Sequence, residues 1–184
     1  MEYGLKHIFD NDTKIIIMGT FPSIKSRGEC YYNHPQNQFW KIIAEICHDN
    51  RVIKGSTEDR YTCLLKNCIG LWDVIKSCKF EKKSSLDSKI IQNSIKYNDF
   101  SILQKECPKL ESIVFSSNNA QKLYQKYLKL KDEYPKLKEK SYTDWLDRIV
   151  CKTALPSTSP ANARMKPADK LKEWTHFFSQ YVKK

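Results

Sequence analysis

Apolar and polar positions along this chain alternate between two periods. Residues 14–19 (KIIIMG) carry, after Lys14, an unbroken apolar run ending at a glycine, the pattern of a strand buried on both faces of a parallel sheet. After a polar loop the spacing becomes helical. Residues 38–47 (QFWKIIAEIC) place Phe39, Ile42, Ile43 and Ile46 on one face. Residues 69–75 (IGLWDVI) read as a second strand or a strand end, and residues 84–100 as loop mixed with short helix. A third strand is expected at residues 111–115 (ESIVF), with Asn118 placed to cap a helix over 120–130. Residues 148–155 (RIVCKTAL) predict a last strand that enters a loop pinned by Pro156 and Pro160. An amphipathic helix over 167–181 follows, with Leu171, Trp174, Phe177 and Phe178 facing inward. The Lys-rich stretch 133–140 (EYPKLKEK) reads as a solvated insertion.

Repeated strand–helix units predict an α/β fold, with three α/β/α layers and a short, mainly parallel central sheet. Ligand sites of such folds sit beyond the C-terminal ends of the strands. That geometry singles out residues 19–38, 116–120 and 156–163. With 184 residues and no linker or internal repeat, the expectation is one domain over residues 1–184.

Composition narrows the class. There are 32 Lys and Arg against 21 Asp and Glu, a formal net charge of +11, and residues 121–184 hold 15 of the former against 7 of the latter. A polyanionic partner fits this excess. The apolar run at residues 15–18 is far too short to cross a bilayer or to form a signal-peptide core. Seven cysteines include no CxxC and no spacing suited to zinc, so reduced thiols and a cytoplasmic location are expected. Five glycines provide neither GxGxxG nor a P-loop, so no nucleotide cofactor is expected, and the absence of a Cys/His cluster at zinc spacing leads to no metal being expected.

The loop after the first strand reads GTFPS (19–23) and then CYYNHPQNQFW (30–40), and the loop after the last strand reads LPSTSPANA (155–163). In this order, with LWDV (71–74), SLDS (85–88) and NDF (98–100) between them, these strings resemble the uracil-DNA glycosylase superfamily, in particular its hypoxanthine-DNA glycosylase group. The resemblance runs from the first strand through the final helix. It implies a monofunctional hydrolase of N-glycosidic bonds in base-excision repair, acting as a monomer on DNA that carries a deaminated base, without cofactor or membrane.

Such an enzyme extrudes its target base and holds it by stacking and edge hydrogen bonds. The resemblance assigns the stacking face to Tyr32 and leaves Tyr31 to the core. It assigns the pocket floor to Gly19, Thr20 and Phe21, with Asp73 able to read the base edge. Ser23, Ser157, Thr158, Ser159, Arg164 and Lys166 are expected to contact DNA, and in the family a minor-groove wedge arises from the last loop. The superfamily usually positions water with an Asp or Asn at the third place of the first string. Here that place is Phe21, which has no polar atom. In the hypoxanthine group the role passes to an asparagine of the NxFW string, Asn37, whose carbonyl can accept a hydrogen bond from water. An asparagine there also suits helix capping. A histidine that stabilises the departing base in uracil-specific relatives is replaced by Leu155, and the third loop (SSNNA, 116–120) lacks the relatives' glycine. His34 suits a loop-fixing role. Three alternatives stay open: a uracil- or mismatch-specific glycosylase, a catalytically silent lesion binder, and a basic surface with no nucleic-acid role.

Overall fold

The computed structural model describes residues 1–81, 86–149 and 153–181. In chain order its elements are β1 (Glu2–Tyr3), β2 (Ile15–Gly19), α1 (Phe39–Cys47), α2 (Arg51–Lys54), α3 (Thr57–Lys66), β3 (Ile69–Asp73) and β4 (Ile75–Cys78). They continue as β5 (Lys96–Tyr97), α4 (Leu103–Glu106), β6 (Ser112–Phe115), α5 (Asn118–Tyr127), α6 (Lys140–Arg148) and α7 (Pro167–Phe178).

The central sheet is parallel, in the order β3-β2-β6. The apolar run in β2 is unbroken because both of its faces are covered. Ile15 and Ile17 join a cluster with Phe39, Ile43 and Trp174, whereas Ile16 and Met18 join one with Phe115, Leu123 and Tyr124. This is the two-residue alternation of a strand with helices on either side. α1, α3 and α7 cover one face, and α5 and α6 the other. The three layers match the expected architecture.

Some boundaries differ from expectation. The segment 69–75 is two strands. β3 stays in the parallel sheet to Asp73, and after Val74 the chain turns into β4, which pairs antiparallel with β1 and β5. The expected last strand begins instead as the end of α6, because Tyr142 and Trp145 bury one helical face as far as Arg148. Residues 150–152 lie outside the described residues. Beyond them, Ala154 makes a single parallel bridge to Phe115. α5 starts two residues early, and its cap is Ser117, whose hydroxyl accepts from Ala120 N at 3.1 Å; Asn118 is already helical. The stretch 133–140 is mostly exposed but anchored by buried Leu137.

Among the described residues, no helix is long and apolar enough to cross a membrane, no group of three His, Cys, Asp or Glu could hold a metal ion, and six cysteines are unbonded.

Candidate active site

The C-terminal ends of β2, β3 and β6 and the loop before α7 surround a cleft of about 570 Å³. Small-molecule sites typically fall in the range of roughly 300–1,000 Å³. The cleft brings together Asn37 with Gly19, Thr20, Phe21, Tyr32 and Asp73, and Ser23, Ser157, Ser159 and Arg164 also line it. Thr158 does not; its side chain is buried, and its carbonyl accepts from Gln38 N at 3.1 Å, which ties the last loop to the start of α1. Lys166 is exposed at the N-terminal boundary of α7, outside the cleft lining.

Asn37 stands two residues before α1, whose N-cap is Gln38 with no side-chain capping bond. The Asn37 side-chain Oδ1 accepts from Phe39 N at 3.0 Å, an Asx-type turn into the helix rather than the expected N-cap. The same bond fixes the carboxamide on the cleft wall, and a carbonyl oxygen keeps a second lone pair for another donor. Tyr32 adopts a left-handed backbone, φ 55°. Its ring stacks on Phe39 at 3.8 Å and 14°, and its hydroxyl donates to Ser116 Oγ at 3.0 Å. Tyr32 is therefore a fixed aromatic wall. Tyr31 is in the core, with its hydroxyl bonded to the carbonyls of Leu5 and Lys6.

Gly19 lies opposite Asp73 in the β2–β3 register. A side chain at residue 19 would collide with Asp73 Oδ1 and come within 3.2 Å of the Tyr32 hydroxyl, so glycine is what lets these two groups converge. Asp73 is 3% exposed, and its Oδ2 has no hydrogen-bond partner among the described residues. Burial, and secondarily the charge of Asp87, push its carboxyl up to about 8. Asp87 also lines the cleft and is likewise raised by burial, against hydrogen bonds from Thr20 and Asn119. Phe21 packs beneath, against Phe80 and the Arg27 guanidinium.

The last loop is held from behind. Lys170, almost fully buried, donates to Asn162 O at 2.8 Å, and Trp174 Nε1 donates to Pro156 O at 2.9 Å. Burial lowers the Lys170 ammonium. Ser157 and Ser159 both accept backbone N–H bonds within the loop, so they shape the turn and line the cleft at once. No large apolar side chain projects from residues 157–163, which are Ser, Thr, Pro, Ala and Asn. His34 fixes its loop, its Nδ1 accepting from Gln36 N at 3.2 Å.

Two participants escape a reading of the sequence by motif. Asp87 belongs to the SLDS string, but its place opposite Asp73 depends on tertiary folding. Lys170 sits in an ordinary amphipathic helix.

A parallel sheet whose C-terminal loops gather a fixed aromatic wall, an oriented amide and a buried carboxyl around one cleft makes this an α/β/α protein with its candidate site at the strand ends. The Uracil DNA glycosylase superfamily model matches residues 6–183. The chain belongs to that superfamily. It is 33% identical over 177 residues to a hypoxanthine DNA glycosylase of Methanosarcina acetivorans, covering 95% of this chain and 96% of the relative. It is also 33% identical over 118 residues to a hypoxanthine DNA glycosylase of Methanosarcina barkeri, covering 64% of this chain and 72% of that one. A solution NMR structure of a candidate uracil DNA glycosylase from Methanosarcina acetivorans superposes with a TM-score of 0.69 at 31% identity, over 98% of both chains.

Proposed function

We propose that this protein is a monofunctional DNA glycosylase that removes deaminated bases, hypoxanthine foremost, by hydrolysing the N-glycosidic bond and leaving an abasic site. Family membership and the two relatives named as hypoxanthine DNA glycosylases support the reaction class and the base. One observation carries the mechanism: the Asn37 carboxamide, fixed by Phe39 N, lines the same cleft as Tyr32 and Asp73, while the neighbouring Phe21 has no polar atom to hold water.

In this reading the everted base stacks on Tyr32, an interaction typically worth ~1–3 kcal/mol. Asn37 accepts a hydrogen bond from the water that attacks C1′, supplying alignment more than basicity. Ser23, Ser157, Ser159 and Arg164 contact the DNA backbone beside the lesion. Thr158 contributes by holding the loop, and Lys166 adds positive charge at the boundary of α7. The protein works as a single-domain cytoplasmic monomer with reduced thiols and no cofactor.

The test is incubation with duplexes carrying one deoxyinosine, deoxyuridine or deoxyxanthosine each, followed by alkaline strand scission. Scission at deoxyinosine above the other lesions is expected. Uracil removal without hypoxanthine removal would overturn the substrate assignment. Tight lesion binding with no scission on any duplex would overturn the enzymatic reading.

A further inference from the structure

We propose that Asp73 enters the reaction as a neutral carboxylic acid whose carboxyl proton passes to the departing purine, the step for which Leu155 leaves no histidine. This rests on the glycosylase reading given above and names the acid of that same site.

The argument begins with position. Asp73 ends β3 at the mouth of the sheet, lines the cleft, and is 3% exposed. Buried polar atoms are nearly always hydrogen-bonded, yet Asp73 Oδ2 has no partner among the described residues. Its Oδ1 occupies the space beside Gly19 that a side chain there would take. Oδ2 thus has unused hydrogen-bonding capacity in a residue that lines the cleft, although the oxygen itself is buried.

The surroundings then select its charge state. From the loop before α1 it faces Tyr31 and Tyr32, and across the cleft Asp87. The tyrosine hydroxyls already donate elsewhere, to the carbonyls of Leu5 and Lys6 and to Ser116 Oγ. None of these three neighbours is a cation. An ionised carboxylate held there without a partner is costly, and a second carboxylate nearby raises the cost further. The carboxyl accordingly keeps its proton to about pH 8. A neutral acid at this place is a donor at physiological pH.

A purine offers acceptors that match. As the C1′–N9 bond breaks, its electron pair passes to the base, and the Asp73 carboxyl proton moves to a purine ring nitrogen, so the base leaves neutral. The water aligned by Asn37 forms the new C1′–O bond, and the proton it loses returns through solvent to the Asp73 carboxylate. The acid is regenerated, and no co-reactant other than water is consumed.

The experiment is single-turnover excision from a deoxyinosine duplex between pH 5.5 and 9.5, with wild type and Asp73→Asn, beside lesion-duplex affinity and a ¹³C NMR titration of the wild-type aspartate carboxyls. Wild-type rates should fall about tenfold per pH unit above about 8, in step with one carboxyl titrating near that pH. Asp73→Asn should lose at least about 100-fold in rate at pH 7, bind the lesion within a few-fold of wild type, and lack the alkaline limb. An Asn variant within threefold of wild type, an alkaline limb that survives in it, or an Asp73 carboxyl titrating below pH 6 would overturn the inference. The titration decides even if the variant does not fold. A wild type inert on every lesion would instead overturn the glycosylase reading on which the inference rests.

Discussion

Gly19→Ala perturbs the site at its tightest point. β2 and β3 are held in register there, with Gly19 paired to Asp73 and Val74 N donating to Gly19 O at 2.8 Å. The added methyl collides with Asp73 Oδ1 and lies 3.2 Å from the Tyr32 hydroxyl. No left-handed backbone is involved at this glycine, so the effect is steric. Asp73 is nearly fully buried, so either its carboxyl is driven into the cleft or the strand ends separate. Overpacking of this kind costs about 1–3 kcal/mol. For a domain of this size each kcal/mol lowers Tm by ~2–4 °C, so a fall of roughly 2–12 °C is expected. Misplacing reacting groups by about 1 Å commonly costs ~100-fold in rate. Calorimetry and single-turnover excision measure both consequences. A Gly19→Ala protein with wild-type Tm and wild-type rate would refute the convergence of Gly19, Asp73 and Tyr32.

Ser56→Ala removes the capping box of α3, in which Ser56 and Asp59 satisfy each other's backbone donors, and should cost about 1 kcal/mol in thermal melts while leaving excision intact. Arg164→Ala should reduce the slope of log affinity against log salt by about 1, read from binding isotherms at several salt concentrations. Asp73 also predicts a pH dependence of stability. The unfolded chain releases this proton near pH 3.8 and the folded chain near pH 8, so between those values the fold binds more protons, and stability falls as pH rises. Melts of wild type and Asp73→Asn should therefore show the wild type losing ground to the variant from pH 5 to 8 and holding level above that.

The sequence discloses those parts of the fold where one physical signal dominates. β2 is legible because a strand covered on both faces is apolar throughout, and α1 and α7 because their buried faces recur at helical spacing. Two of the longer helices escape that pattern. α3 buries only Cys63 and Leu64 of its ten residues, and α6 only Tyr142 and Trp145 of its nine, so both read as polar chain. The capping box at Ser56 is the local signal for α3. The division between β3 and β4 is invisible because both strands are buried and no Gly or Pro stands between them.

The site divides along the same line. Asn37, Tyr32 and the first-loop residues are carried by strings contiguous in sequence, and they converge because the strand ends place them. The unpartnered Asp73 oxygen, the opposing Asp87 and the buried Lys170 that secures the last loop are products of tertiary packing. Thr158 shows the converse. Its neighbours Ser157 and Ser159 reach the cleft, while the intervening side chain turns into the protein.

The account stands or falls on the amide before α1. Single-turnover excision from a deoxyinosine duplex by Asn37→Ala, with lesion affinity measured on the same preparation, addresses it directly. A loss of ~100–1,000-fold in rate with affinity within a few-fold of wild type is the predicted result. Excision at the wild-type rate, or a rate loss that merely tracks lost lesion binding, would contradict a water-positioning role for Asn37.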